Sequence, residues 1–423
     1  MGEFRHHSHV NEEEIVLNSD EAYQVFVKQQ EDRGIDIDAV KEKLKSFVIE
    51  TPSWGYGDAG TRFKVFQYEG SPRNIYEKLE DAAQVQKHTG ICPKVALHIP
   101  WDHVDDYSEL KRYSEGLGLE IGAINPNLFQ DEDYKYGSLT HNSESIRKKA
   151  IEHLLECVDI AKQLGSSEVS LWLADGSNYP GQSNIRARKK WLQSSLEKVY
   201  QHLNNDMRLL IEYKHFEPSF YHTDLADWGM AFQLSQNLGE KAEVLVDLGH
   251  HPQGVNVEQI VAYLLDEKKL GGFHFNNRKY ADDDLMAGSI NPYELFLILY
   301  QIVDSYFDDD EGVRHTAKHI SYMIDQCHYL ESKTRAMLQS VINIQAQYAK
   351  ALLVDVDRVH HYQRNNDILG AEYEVRRAFE VDVHPLLRVV REEMGASAEP
   401  IQAYLDSGYE EKIQHRGRGG AGW

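Results

Sequence analysis

Short runs of β-branched and aromatic residues alternate along the chain with longer segments of helical period, the pattern of βα units feeding a parallel sheet. Eight strands are predicted, at 47–51, 95–99, 119–123, 169–173, 209–213, 244–248, 272–275 and 320–324. Between them, 143–164 carries apolar residues at Ile151, Leu154, Leu155, Val158, Ala161 and Leu164, a stripe stopped by Gly165. That spacing predicts a helix with a glycine C-cap. Asn256 predicts an N-cap for a helix over 257–270, and Asn291-Pro292 places proline in the first turn of a helix over 293–306.

Eight strand-plus-helix units within roughly 330 residues is the arithmetic of an α/β fold of the (β/α)8 TIM-barrel type, in which functional side chains lie at the carboxyl ends of the strands. The expected organisation is an N-terminal leader and helix over 1–45, the barrel over 46–330 and a helical C-terminal extension over 331–423. The extension carries no strand pattern, so it is expected to pack on the barrel or on a neighbouring subunit. Its glycine- and arginine-rich end, from His415 onward, reads as a mobile tail.

Composition narrows the function. The 423 residues include 45 Lys and Arg against 68 Asp and Glu, a formal charge of −23, which repels phosphate backbones and argues against nucleic acid as a partner. The longest apolar stretch, at 295–300, is far short of the roughly 18 to 20 residues of a membrane span. The first residues lack the apolar core of a secretory signal. Cys92, Cys157 and Cys327 fit neither a disulfide framework nor a CxxC zinc site, so a reducing, cytoplasmic setting is expected.

The predicted strand ends are polar. From the fifth onward they supply Glu212, Asp247 with His250, His274, Asp282 with Asp284, and Asp325. A carboxylate at the end of a buried strand is costly to desolvate unless a cation or hydrogen-bond donors receive it. Taken singly, each has an ordinary explanation: a strand-end Asp as a helix cap, His274 as a core histidine, the 282–284 run as a solvated loop. Their joint position at successive strand ends is what those explanations do not predict. The donors are carboxylates and imidazoles without a thiolate, which suits Mn2+, Co2+ or Mg2+. Two ions with Asp247 shared would use all seven groups, Asp282 and Asp284 pointing the same way in an extended loop.

The amino-terminal strand ends supply a second set: Trp54, His98, Trp101, Asn125 and Trp172. Aromatic rings at a barrel mouth form a wall on which the C–H face of a sugar stacks while polar groups read its hydroxyls. His98 is a candidate acid, base or hydroxyl-orienting group. Lys214, on the same strand face as Glu212, is a candidate for stabilising developing negative charge. The 175–184 segment lacks a phosphate-binding glycine pattern and reads as a shaped loop over the mouth, as does Thr61-Arg62-Phe63.

The motifs Pro52-Ser-Trp-Gly55, Leu97-His-Ile-Pro-Trp-Asp102, Tyr134-Lys-Tyr-Gly-Ser-Leu139, Asp175-Gly-Ser-Asn-Tyr-Pro-Gly-Gln-Ser-Asn184, Leu245-Val-Asp-Leu-Gly-His-His251, Gly272-Phe-His-Phe-Asn276 and Met323-Ile-Asp-Gln326 together resemble the L-rhamnose isomerases of the broad-specificity bacterial type, within the xylose-isomerase-like barrels. The resemblance runs in order from about residue 45 to 370. It implies a homotetrameric aldose–ketose isomerase with two divalent ions per subunit, usually Mn2+, acting on small sugars such as L-rhamnose and D-allose. It implies Glu212, Asp247, His274 and Asp325 as ligands of a structural metal, and Asp247, His250, Asp282 and Asp284 as ligands of a catalytic one. Trp54, His98, Trp101, Trp172 and Lys214 then resemble the substrate contacts, Phe63 the aromatic that a neighbouring subunit lays over the site, and His98, Lys214 and Asp325 the catalytic candidates. The chain departs from the pattern at Tyr213, where the family has His, and at Asn277-Arg278, where it has Asp-Ser.

The expected chemistry is a metal-assisted hydride shift between C1 and C2 of an open-chain sugar, with proton transfer through an enediol as the alternative. The rival functions are a sugar epimerase or a repair nuclease on the same barrel, or a catalytically inactive sugar-binding barrel.

Overall fold

The computed structural model describes residues 12–58, 64–217, 221–327 and 330–419. All eight predicted strands form: β1 Ile49–Pro52, β2 Lys94–Ile99, β3 Glu120–Pro126, β4 Glu168–Leu171, β5 Arg208–Glu212, β6 Ala242–Asp247, β7 Leu270–Phe275 and β8 Ser321–Ile324. Each pairs in parallel with its neighbours, and β1 pairs with both β2 and β8, so the sheet closes into a barrel. The first strand starts later than its hydrophobic pattern suggests. Phe47 leaves the sheet to stack on Tyr348, 4.2 Å between ring centroids, and its burial in that outer layer is worth more than a place in the ladder.

The helices follow their caps. Glu144–Leu164 ends at Gly165 in the left-handed conformation, φ 80°, and Asn291 caps Pro292–Ser305 through the Glu294 amide. One helix is shorter than predicted. Val257–Asp266 stops four residues early, because Lys268 turns the chain with φ 57° and Leu270 already belongs to β7. The apolar residues at 264–270 serve two elements, which a single period cannot show.

The helix Lys333–Leu352, expected to belong to an extension, packs between Pro292–Ser305 and Ile75–Thr89 and supplies the eighth member of the outer ring. The barrel therefore runs past 330 to about residue 352, and the appended helices begin with Val356–Arg364. Nor does the tail come loose at His415. Arg416 is buried and donates to Asp81 at 2.8 and 3.0 Å and to Glu80 at 2.8 Å, tying the turn Gln414–Arg416 to the helix Ile75–Thr89.

Strand alternation fills the barrel in layers. At the amino-terminal end Arg208 donates to Glu243 at 2.8 Å, to Ser321 at 2.6 Å and to Glu168. Above it, Ala123, Leu210, Leu245 and Met323 form an apolar plug. Gly122 leaves room for Glu50 in this layer, since a Cβ there would overlap the Glu50 carboxyl. The uppermost layer holds Glu212, Asp247 and His274 at the carboxyl ends of their strands.

Burial, with a contribution from Glu168, pushes the Glu50 carboxyl up to about 7, against the hydrogen bond it accepts from the Ala123 amide at 2.9 Å. A raised native pKa means that the folded state holds the proton more tightly, so stability falls as pH rises from about 4.5 to 7, by at most about 3 kcal/mol. Glu50→Gln removes that charge. Its thermal midpoint should exceed the wild type's at pH 8, with the gap closing at pH 5, as scanning calorimetry at both pH values checks.

Candidate metal centre and sugar pocket

The top of the barrel gathers side chains that are 113 positions apart at the extremes, from Glu212 at the end of β5 to Asp325 just beyond β8. One ligand atom each from Glu212, Asp247, His274 and Asp325 lies within 4.8 Å of the others, and Asp247, His250 and Asp282 form a second such group. His274 Nδ1 is 3.2 Å from Glu212, 3.7 Å from Asp325 and 3.9 Å from Asp247. His250 donates through Nδ1 to the Tyr213 carbonyl at 2.9 Å, which turns Nε2 toward Asp282 at 3.4 Å and Asp247 at 3.9 Å.

Asp284 is placed differently from the extended loop expected. Its φ of 46° is left-handed, and the 281–284 segment turns tightly, the Asp283 amide donating to the Ala281 carbonyl. The Asp282 and Asp284 carboxyls still meet through a hydrogen bond, but by this turn and not by alternation. Neither group of mutually close ligand atoms includes Asp284. Its carbonyl accepts the Cys327 amide at 3.2 Å, tying this loop to the one that carries Asp325.

Beside the carboxylates stands an aromatic wall. His98 stacks on Trp101 at 3.7 Å, meets Trp54 edge-on at 5.7 Å and faces Phe129 at 5.8 Å, and Phe129 reaches Trp172 at 4.9 Å. Trp54 Nε1 donates to Asp325 at 2.8 Å and joins the wall to the polar cluster. Lys214 Nζ lies 2.6 Å from Asp282 and 5.0 Å from the Trp172 ring centre. Behind His98, Asp102 accepts from the His98 amide, from Lys78 at 2.8 Å and from the Ser53 hydroxyl. Asn125 instead faces the sheet, its amide donating to the Leu97 carbonyl at 3.2 Å. Phe63, Arg62 and Thr61 lie outside the described residues.

Residues 92–316, more than half of the chain, match the family model described as "Xylose isomerase-like TIM barrel". The chain belongs to that family. A probable sugar isomerase of Rhizobium meliloti is 46% identical over 387 residues, covering 90% of this chain and 89% of the relative. An L-rhamnose isomerase of Bacteroides thetaiotaomicron is 23% identical over 285 residues, 58% of this chain and 64% of the relative. Among solved structures, a D-psicose 3-epimerase determined in the presence of D-fructose superposes with a TM-score of 0.50 at 9% identity, covering 72% of this chain and 97% of that one, which is a likeness of fold.

The electrostatics of this family member's cluster fit cations. Burial, then Glu212, drives the Asp247 carboxyl well above the ordinary carboxylate range, and burial, then Asp282, does the same to Asp284. Burial lifts Asp325 to about 6. Although burial disfavours its charge, His274 is held up to about 10 by Glu212. The buried atoms His274 Nδ1 and Asp282 Oδ1 make no hydrogen bond among the described residues. With both imidazoles neutral, as metal ligation requires, five carboxylates against the ammonium of Lys214 leave four negative charges, which two divalent ions would cancel. Oxygen and imidazole donors suit Mn2+, Mg2+ or Co2+.

Two contributors escaped the sequence reading. Asn276 donates to both Asp247 oxygens, at 2.9 and 3.0 Å. Its spacing of two from His274 puts it on the same strand face and was the available signal. Phe129 lies in the loop after β3, where no period marks it. Since ions bound only by the folded cluster stabilise by mass action, adding Mn2+ to the chelator-treated protein should raise its thermal midpoint by several degrees. Asp247→Asn, which removes the carboxylate common to both groups, should lose most of that rise in a thermal-shift measurement.

Proposed function

We propose that this chain is a divalent-metal-dependent aldose–ketose isomerase, interconverting L-rhamnose and L-rhamnulose and accepting other aldoses such as D-allose. The observation that carries the reading is the pair of ligand groups sharing Asp247 beneath an aromatic wall. Two sites a few ångströms apart suit a substrate that must be gripped by oxygens on adjacent carbons. Bound ions, most simply Mn2+, would supply Lewis acidity to the sugar carbonyl and its neighbouring hydroxyl. The extended match to a probable sugar isomerase and the motifs shared with L-rhamnose isomerases support the substrate class.

The chain's own residues divide the remaining work. Trp54, Trp101, Phe129 and Trp172 offer apolar faces to the sugar's C–H groups and exclude water. His98 is neutral, its pKa held well below the ordinary imidazole value by burial and then by Lys78, and its buried Nδ1 has no hydrogen-bond partner among the described residues. It can therefore donate to or accept from a sugar hydroxyl without carrying charge. Lys214 places its ammonium where negative charge grows on the substrate oxygen beside Asp282. Asp325, with one oxygen held by Trp54, offers Oδ2 to take and return a hydroxyl proton. The hydrogen itself passes between C1 and C2 as hydride. A homotetramer that brings Phe63 of one copy over the site of another belongs to the same proposal.

Chelated protein should form no ketose, and Mn2+ should restore ketose formation from L-rhamnose in a panel with L-mannose, L-lyxose and D-allose. No ketose from any of them overturns the reading, and an epimer in its place assigns the barrel to epimerisation. In deuterated water the product should carry little solvent deuterium at C1 or C2; substantial incorporation rejects the hydride shift. Lys214→Met should lower kcat by about 10² to 10³ with a smaller change in KM, measured by steady-state ketose assay.

A further inference from the structure

The two places where this chain departs from the L-rhamnose isomerase pattern, Tyr213 and Arg278, converge on one turn. That turn is 247–251, which carries Asp247 and His250. Tyr213 faces away from Glu212 and Lys214 and is fully buried, so it lies behind the pocket. Its carbonyl receives the His250 Nδ1 hydrogen bond at 2.9 Å, and its hydroxyl bonds His251 Nε2 at 2.7 Å. Arg278, also buried, donates to the carbonyl of Leu248, the residue after Asp247, and reaches Glu294 at 3.2 Å. Glu294 is itself fixed in the first turn of its helix, its amide held by Asn291. The turn is thus held at Leu248 and His251 by two side chains behind the pocket, and at His250 by the main-chain carbonyl of Tyr213.

A ligand histidine binds well only when its other ring nitrogen is fixed, and loss of such outer support typically costs about 10- to 100-fold in metal affinity. Here the carbonyl that fixes His250 belongs to the residue whose hydroxyl is anchored on His251, so ring and carbonyl move together. Asp247, in contrast, has a support from outside the turn, both its oxygens taking the Asn276 side-chain amide at 2.9 and 3.0 Å. Disturbing Tyr213 or Arg278 therefore leaves the Glu212, Asp247, His274 and Asp325 group in place.

We propose that Tyr213 and Arg278 are positioning residues which set the affinity of the second metal centre, formed by Asp247, His250 and Asp282, separately from that of the first. The assignment rests on the metal-dependent reading above.

The test is a titration of metal-free protein with Mn2+, free ion being read by electron paramagnetic resonance. The wild type should bind two ions per chain. Tyr213→Phe and Arg278→Met should keep one at wild-type affinity and weaken the other about 10- to 100-fold. Arg278→Lys, which still reaches the Leu248 carbonyl, should recover part of the loss. A merely structural role would not divide the two ions in this way. Should Arg278→Met fail to fold, Glu294→Gln loosens the same arginine from the outside and should weaken the same ion. Two ions bound with unchanged affinity in both variants, or an equal loss at both, overturns the assignment alone. A wild type that takes up no Mn2+ overturns it together with the metal reading.

Discussion

Repulsion among buried carboxylates governs the top of this barrel. Glu212, Asp247, Asp282, Asp284 and Asp325 share one pocket, and Lys214 and the His274 imidazole set fewer positive charges against them than there are carboxylates. In a medium that screens poorly, that arrangement is unfavourable unless protons or cations are taken up. The shifted carboxyls of Asp247, Asp284 and Asp325 express the cost in the form the bare cluster adopts. What makes the cluster costly is also what makes it receptive to divalent ions.

A cluster under such strain needs a rigid frame, and the layers beneath supply it. The apolar plug of Ala123, Leu210, Leu245 and Met323 seals the pocket from the amino-terminal mouth. There Arg208, bonded to Glu168, Glu243 and Ser321, ties β4, β5, β6 and β8 together. Close packing of this kind transmits position, because a strand that shifts must displace its neighbours. The helix Lys333–Leu352 completes the outer ring, and Arg416 fastens the last described turn to the helix that follows β1.

The loops divide the labour by side of the barrel. Those after the first four strands carry aromatic rings, with Asp102 and Lys78 buried behind His98 and Trp101. Those after β5 to β8 carry the charged groups and their supports, Asn276 on Asp247 and Tyr213 on His250. A sugar seated between the halves would meet an apolar face on one side and cation-binding oxygens on the other. The two halves touch through the Trp54 to Asp325 hydrogen bond and where Lys214 lies over the Trp172 ring.

Periodicity by itself determined the number of strands, their order and the helix caps at Gly165, Asn256 and Asn291, since these depend on local alternation and on residues whose preferences are intrinsic. The polar character of the strand ends was equally legible, because a carboxylate that terminates an apolar run is conspicuous in one dimension. Tertiary structure alone decided which of those groups come within ligand distance. It sets Asp284 in a left-handed turn beside Asp282 without joining either ligand group, and it recruits Phe129 and Asn276. It also assigns Lys333–Leu352 to the barrel and buries Arg416 in a stretch whose glycines suggested mobility. The reason is common to all of these: strand alternation fixes which way a side chain points, but the distance between two strand ends is fixed by barrel closure, and closure is a property of contacts between residues remote in the chain.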